Sequence, residues 1–198
     1  MAHRGLSHSF HVLGMLLVMP AGIPSTARAA EITRAGASIL VRGRIEAGDD
    51  LKFAAVAPQG SYRVVDLFSV GGTLSAAGPI GRNIRATGAT TVYDASRGPC
   101  SSACTVLFVA GARRHYVNSG SIREGIGAQG KRGLGFHEAR AYEPGNVGRS
   151  MAKMSALYYE MGSPAAADLS TRSPNRTTYY ITGATAMSTG IATSLDRP

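Results

Sequence analysis

The sequence predicts a single α/β domain. Stretches rich in β-branched residues, typical of strands, alternate along the chain with stretches whose apolar residues recur at helical spacing. No internal repeat and no low-complexity linker divides the 198 residues, a length that can bury a substantial core. Alternation of this kind favours parallel strands joined by right-handed crossovers.

Residues 1–29 are predicted to be a secretory signal peptide, and residues 30–198 the folded domain. The chain begins with a polar segment carrying Arg4, and the apolar stretch "VLGMLLVMPAGI" that follows is too short to span a bilayer comfortably. The small residues Ala27 and Ala29 then provide a cleavage site. We therefore expect a periplasmic or secreted protein. No other stretch is apolar enough to cross a membrane, so we expect no stable membrane insertion after cleavage.

The charge of the chain favours no nucleic-acid partner. Its formal value is +9, which falls to about +7 once Arg4 and Arg28 leave with the signal peptide. A positive balance can attract nucleic acid. Here, however, the arginines are single or paired, as in "GARRHY" and "GKRGLG", without a basic block or an aromatic platform. This pattern indicates a solvated basic surface.

The first half of the domain is predicted to alternate strand and helix. "SILVRGRI" (38–45) alternates β-branched and polar residues as a strand does, and "GDDLKFAAVA" (48–57) opens with an aspartate that can cap a helix. "YRVVDLFSV" (62–70) is typical of a buried strand that ends at two glycines. "TLSAAGPIGRNIRATG" (73–88) keeps its apolar residues on one helical face and ends at a glycine, and the strand "ATTVYDA" (89–95) follows.

The second half begins with the apolar run "ACTVLFVAGA" (103–112), which predicts a buried helix, followed by the strand "RHYV" (114–117). The glycine-rich, polar stretch 118–133 predicts a surface loop or flap. Apolar character returns in "LGFHEAR" (134–140). Beyond it the pattern predicts a helix over about 148–161, a strand over 177–182 and a short closing segment over 183–193.

The stretch "GPCSSACTVLFVAGA" places two serines at the mouth of an apolar helix, where the helix N-terminus favours negative charge. A serine nucleophile also needs a base and backbone N–H donors for the developing oxyanion. Gly71 and Gly72, which follow a strand, can bring such donors close to a substrate. The alternative is that Ser102 merely caps the helix, a position that serine favours. Ser101 is a less favoured nucleophile.

The order of strand, Gly-Gly, helix, strand, serine turn, helix, strand and histidine resembles the Clp-type serine peptidases of the crotonase-like superfamily, and within it the exported periplasmic branch. The resemblance is carried by about 80 residues from Val64 to Arg140, which include "SVGG", "CSSACTVLFVAG" and "LGFHEAR". It implies a Clp/crotonase-like spiral of repeated ββα units in one domain.

The resemblance also implies roles for individual residues. Counting back from Ala110 and Gly111 puts the family's nucleophile on Ser102, and the family's base falls on His137. The oxyanion donors would be the backbone N–H groups of Gly72 and Ala103. The third member of a triad would fall on Asn175, and Asp168 is the nearest carboxylate upstream. A Ser–Lys pair, using Lys131 or Lys153, is a minor alternative.

The two cysteines leave a choice open. Cys100 and Cys104 lack the CxxC spacing of a zinc site, and only two histidines remain after signal cleavage, so no metal site is expected. In an oxidising compartment the two cysteines could pair, because residues four apart on a helix have Cα atoms about 6 Å apart. Such a bond on one helix would be sterically demanding.

The expected function is that of an exported serine hydrolase, a peptidase acting on short or unfolded peptides, without a cofactor. The expected partner is its peptide or protein substrate, and the sequence is compatible with a homo-oligomer. The alternative is a binding module that keeps the fold after its catalytic residues have decayed, which the asparagine at position 175 favours. Crotonase-type acyl-CoA chemistry fits an exported protein poorly, because its cofactor is cytoplasmic.

Overall fold

A computed structural model describes Met1 and residues 29–127, 132–139, 147–173 and 177–198. The predicted signal peptide thus lies almost wholly outside the described residues. Among the helices that are described, none combines the length and the apolar character needed to cross a bilayer.

The strands in chain order are β1 (Glu31–Ala35), β2 (Ser38–Arg42), β3 (Val64–Phe68), β4 (Thr90–Asp94), β5 (Pro99–Ser101), β6 (Arg113–Val117), β7 (Gly125–Ile126), β8 (Gly133–Phe136) and β9 (Tyr179–Ile181). The helices are α1 (Asp49–Val56), α2 (Leu74–Thr87), α3 (Ala103–Val109), α4 (Val147–Glu160), α5 (Pro164–Ser170) and α6 (Gly183–Ser188). A 3-10 turn spans Ser119–Ser121.

These elements form one α/β domain, as the sequence predicts, and its strands are arranged in two sheets. The larger sheet has the strand order β1-β2-β3-β4-β6, and the smaller has the order β5-β8-β9-β7. Strands β2, β3, β4 and β6 are parallel, and β5 is parallel to β8. The expectation of parallel pairing is wrong for β1 with β2 and for β9 with β7 and β8, which are antiparallel.

Local sequence explains the ends of α2. Thr73 caps its first turn through a side-chain oxygen that accepts the Ser75 N–H at 3.2 Å. The helix stops at Gly88, whose φ of 67° is a left-handed conformation that glycine adopts without steric cost. The predicted bounds of this helix therefore agree with its structure.

Helix α3 lies at the centre of the domain. All seven of its residues are buried, and it packs against α2, α4 and strands of both sheets. An apolar helix that is enclosed on every side can be fixed in position by packing alone. Ser102, which precedes α3, is therefore held between the two sheets.

Candidate active site

The candidate site is built where extended segments of the two sheets meet. Beyond the end of β3, Ser69 pairs in parallel with Cys100 of β5, and Gly72 pairs in parallel with Ile45. On its other side β5 pairs with β8. Because these segments run in the same direction, the residues that follow them emerge at one edge.

Ser102 occupies the sharp turn between β5 and α3. Its backbone has φ 57° and ψ −126°, a conformation that residues other than glycine rarely adopt and that costs about 1–3 kcal/mol. The turn is held in part by the Ser102 N–H, which donates to the Gly135 carbonyl at 2.9 Å. The serine side chain makes no capping hydrogen bond to α3. Ser102 therefore occupies the N-cap position of α3 without capping the helix through its side chain.

The neighbouring Ser101 faces a different environment. Its side chain is buried, and its hydroxyl has no hydrogen-bond partner among the described residues. It lies against Gly135, where a Cβ would come within 2.4 Å of the Ser101 oxygen. Ser101 is therefore enclosed, whereas Ser102 is partly exposed.

The two glycines after β3 fit closely against the serine turn. A Cβ on Gly71 would lie 2.4 Å from the Ser101 carbonyl oxygen and 2.7 Å from the Ser102 Cβ. Gly71 also has φ +88°, so both space and backbone conformation require glycine. The Gly71-Gly72 segment and the serine turn are thus in direct contact.

Two backbone N–H groups are available beside Ser102. Ile45 donates to the Gly71 carbonyl and accepts from the Thr73 N–H, both at 2.9 Å, so the Gly72 N–H points away from Ile45, toward the side where β5 lies. The Ala103 N–H is the first of α3 and has no partner within that helix. Within the part of the chain that the structure describes, neither group donates to a protein acceptor.

His137 follows the end of β8, at the same edge as Ser102. In the parallel register Ser101 pairs with Gly135, so the serine turn and the histidine lie at the carboxyl ends of adjacent strands. The His137 Nδ1 lies 2.6 Å from the Glu138 carbonyl oxygen. Because a carbonyl only accepts, Nδ1 carries the proton in this contact, and Nε2 is the basic nitrogen whenever the ring is neutral. No hydrogen bond joins His137 to Ser102 in the described residues.

Of the two candidates for the third group of the expected triad, the described residues include only one. Asn175 lies outside them. Asp168 is described and lies exposed on α5, and its carboxylate makes no hydrogen bond or ion pair with another described residue. Of the lysines in the alternative pair, Lys153 is exposed on α4, and Lys131 lies outside the described residues.

Cys100 and Cys104 are joined by a disulfide across the serine turn. Their Cα atoms are 5.3 Å apart, and both residues are fully buried. The bond does not connect two residues of one helix, as the spacing alone suggested, because Cys100 belongs to β5 and Cys104 to α3. The cross-link encloses Ser101, Ser102 and Ala103 in a short loop.

Sequence reasoning missed two tyrosines that hold β8 in place. Tyr93 accepts the Gly133 N–H at 2.8 Å and donates to the Gly98 carbonyl at 2.6 Å. Tyr116 accepts the Leu134 N–H at 3.3 Å and donates to the Ile181 carbonyl at 3.0 Å. Burial raises the pKa of both hydroxyls well above the usual range, so both remain donors. Nothing in "TVYDA" or "RHYV" distinguishes these tyrosines from ordinary core residues.

Thr105 and Tyr158 were also missed. The Thr105 hydroxyl donates to the Ser102 carbonyl at 2.6 Å, and the Tyr158 hydroxyl lies 2.6 Å from the Thr105 oxygen. The signal for Thr105 is weak but visible, since it is a lone hydroxyl in an otherwise apolar helix, three residues after Ser102. Tyr158 lies 53 residues further along the chain, and no local pattern connects the two.

The site can be compared with known proteins at the level of the fold. ClpP1 from Listeria monocytogenes matches with a TM-score of 0.55 and 12% sequence identity, over 82% of this chain and 92% of that chain. A single-residue mutant of ClpP1 from the same organism matches with a TM-score of 0.53 and 13% identity over the same shares. The chain therefore has a Clp-like fold. No protein-family model matches the sequence, and a search among curated proteins finds no match.

Proposed function

We propose that the protein is an exported serine hydrolase, a peptidase that cleaves short or unfolded peptides. The Ser102 hydroxyl is the nucleophile, His137 the base, and the backbone N–H groups of Gly72 and Ala103 are the oxyanion donors. The observation that carries the proposal is the strained backbone of Ser102. A residue held at φ 57° between a strand and a buried helix, with a hydroxyl that caps nothing, has the geometry of an exposed nucleophile.

The mechanism follows from the groups at this edge. Ser102 Oγ attacks the substrate carbonyl carbon while its proton passes to Nε2 of His137, and the two N–H groups bind the oxyanion that forms. The imidazolium then returns its proton to the leaving amine, and an acyl-serine ester is left. In the second half, Nε2 takes a proton from a water molecule while the water oxygen attacks the ester carbonyl carbon. The bond from that carbon to Ser102 Oγ then breaks, and Oγ receives the proton from the imidazolium, which releases the carboxylic acid product and restores the serine alcohol.

The absence of a Ser102–His137 hydrogen bond in the described residues is compatible with this proposal, because catalytic hydrogen bonds are often long without substrate and tighten when it binds. The Glu138 carbonyl supports the assignment of His137, since it fixes the tautomer that leaves Nε2 as base. We assign orientation of the ring to this carbonyl. Asn175 and Asp168 remain candidates for a further orienting contact, which their alanine variants test by the rate of labelling.

Labelling with a fluorophosphonate probe tests the nucleophile. The wild-type protein should be labelled covalently and Ser102→Ala should not. Ser101→Ala is the matched control, because it removes a hydroxyl one residue away that is buried and unpartnered among the described residues. It should be labelled like the wild type. Equal labelling of wild type and Ser102→Ala removes Ser102 as nucleophile, and an unlabelled wild type favours the decayed binding module.

His137 is tested with the same probe. His137→Ala should keep the fold, because the residue is only partly buried at a strand end, and should slow labelling by about 10²-fold or more. Labelling of His137→Ala at the wild-type rate would remove this residue as the base.

Export and self-association are part of the proposal. Cleavage after Ala29 is tested by sequencing the N-terminus of protein recovered from the periplasm, where retained Met1 would contradict it. A homo-oligomer is tested by light scattering on the purified chain, where a monomer mass at all concentrations would contradict it. Neither result alters the assignment of Ser102.

A further inference from the structure

The peptide unit between Ser102 and Ala103 connects two functions. Its carbonyl belongs to Ser102, and its N–H is one of the two proposed oxyanion donors. A trans peptide is planar, and its C=O and N–H point in opposite directions, and the described residues contain no cis peptide. Any contact that fixes the direction of the Ser102 carbonyl therefore also fixes the direction of the Ala103 N–H.

Two donors on one residue hold this carbonyl. The Thr105 N–H donates to the Ser102 oxygen at 2.8 Å, and the Thr105 hydroxyl donates to the same oxygen at 2.6 Å. The N–H contact is the ordinary bond of a first helical turn. The hydroxyl contact is additional, and it comes from a side chain that is completely buried.

A second side chain fixes the threonine in turn. The Tyr158 hydroxyl lies 2.6 Å from the Thr105 oxygen. Because the only hydroxyl proton of Thr105 goes to the Ser102 carbonyl, Tyr158 must be the donor in this contact. Tyr158 is fully buried on α4, and burial raises the pKa of its hydroxyl well above the usual range, so the donor keeps its proton. The hydrogen bonds thus run in one direction, from α4 to the serine turn.

The hydroxyl groups of Thr105 and Tyr158 do more than fill space in the core. Valine and phenylalanine have nearly the same shapes and would fill the same volume without any buried hydroxyl to satisfy. Hydrogen bonds to a carbonyl also polarise its peptide unit and strengthen the N–H on the other side as a donor. A stronger, fixed donor is what a developing oxyanion requires.

We infer that Thr105 and Tyr158 are positioning residues, which aim the Ala103 N–H at the oxyanion through the Ser102 carbonyl. The inference rests on the proposed function, because it needs an oxyanion to stabilise. It adds α4, a helix distant in sequence, to the machinery of the site.

Four variants separate positioning from packing. Thr105→Val removes the hydroxyl, keeps the shape, and leaves the Tyr158 hydroxyl buried without its partner, so it should be less stable to urea than the wild type. The double variant Thr105→Val/Tyr158→Phe removes that orphaned hydroxyl and should recover most of the stability. Tyr158→Phe alone retains the contact of Thr105 with Ser102. Thr105→Ser retains both hydroxyls.

The measurement is fluorophosphonate inactivation, separated into the maximal rate and the probe's dissociation constant. Thr105→Val and the double variant should lose about tenfold or more in the maximal rate with an unchanged dissociation constant, because the phosphoryl oxygen takes the place of the oxyanion. Tyr158→Phe should lose only a few-fold, and Thr105→Ser should react at nearly the wild-type rate. The result that supports the inference most directly is a double variant that recovers its stability to urea but keeps a low maximal rate of inactivation.

A double variant that recovers both stability and the maximal rate would overturn the inference, since the pair would then serve packing alone. So would Thr105→Ser reacting as slowly as Thr105→Val. A wild type that is not labelled, or is labelled equally in Ser102→Ala, is a different failure. It would refute the proposed function, and this inference with it, because no oxyanion would form.

Discussion

The hydroxyl of Tyr93 accepts a hydrogen bond from the Gly133 N–H at 2.8 Å, and so connects β4 of the large sheet to the first residue of the strand that precedes His137. The same hydroxyl donates to the carbonyl of Gly98, just before the strand that leads to Ser102. One buried side chain therefore joins the two segments that carry the proposed nucleophile and the proposed base.

Tyr93→Phe should destabilise the protein by about 2 kcal/mol, because it leaves the Gly133 N–H and the Gly98 carbonyl without their partner in the interior. Urea unfolding measures the loss. Tyr159→Phe is the matched control, since Tyr159 is 61% exposed and should change stability by less than about 0.5 kcal/mol. Equal stabilities of the two variants would show that the Tyr93 hydroxyl contributes nothing.

Gly71→Ala should disrupt the serine turn. The added methyl would meet the Ser101 carbonyl at 2.4 Å, and alanine at φ +88° is itself strained. We expect a loss of about 3 kcal/mol and much slower fluorophosphonate labelling. Gly36→Ala, at φ +60° with open space around the Cβ, should cost only about 1 kcal/mol and leave labelling unchanged. Similar effects of the two changes would argue against close contact at Gly71.

The disulfide can be tested with Cys100→Ala/Cys104→Ala. A cross-link that closes so short a loop stabilises by about 2 kcal/mol, and we expect the double variant to be less stable by that amount in urea. Labelling should also slow, because the turn around Ser102 loses one of its constraints. In native buffer a thiol reductant should leave the wild type unchanged, since both cysteines are buried. Rapid reduction of the native protein would contradict this burial.

Asp94 makes the free energy of unfolding depend on pH in the acidic range. Burial alone would raise the pKa of its carboxyl, but hydrogen bonds from Ser96 and Asn118, together with the charge of Arg197, hold the pKa below its ordinary value. The stabilisation is therefore complete above the ordinary pKa of about 4 and is lost as the pH falls through the lower pKa of the folded state.

The corresponding measurement compares wild type with Asp94→Asn. Since hydrogen bonds to a charged group are worth about 1.5–3 kcal/mol, the variant should be less stable by about 2 kcal/mol at pH 7. The difference in the free energy of unfolding should narrow below about pH 4. A difference that stays constant down to pH 2 would show that the charge of Asp94 is not responsible.

Elements with a local signal were predictable from the sequence. Helix α2 has a cap, a periodic apolar face and a terminal glycine, and β3 and β4 are rich in β-branched and aromatic residues. Strand β5 has none of these features. Its three residues form a strand only because they pair with Ser69 and with β8. Helix α5 also carries a signal, because the proline at its first position is followed by three alanines, which are strong helix formers.

The candidate site likewise contains residues that could be predicted from the sequence and contacts that could not. Ser102, His137 and the glycine pair each follow a strand, and the resemblance of their order along the chain to that of Clp-type peptidases grouped them in one candidate site. The contact between Thr105 and Tyr158 depends on how α4 packs against α3, which no local pattern specifies. The tautomer of His137 depends on a backbone carbonyl, and backbone groups leave no mark in the sequence.

The fixed start of β8 has a consequence for how the chain can vary in length. Side chains alternate along a strand, so a slip of one residue between β5 and β8 would turn His137 to the other face. Tyr93 and Tyr116 hold the amides of Gly133 and Leu134, and the spacing that matters is therefore counted from Gly133 onward. Residues inserted between Ile126 and Gly133, before this fixed point, would leave the serine and the histidine where they are. One residue inserted between Gly133 and His137 would separate them.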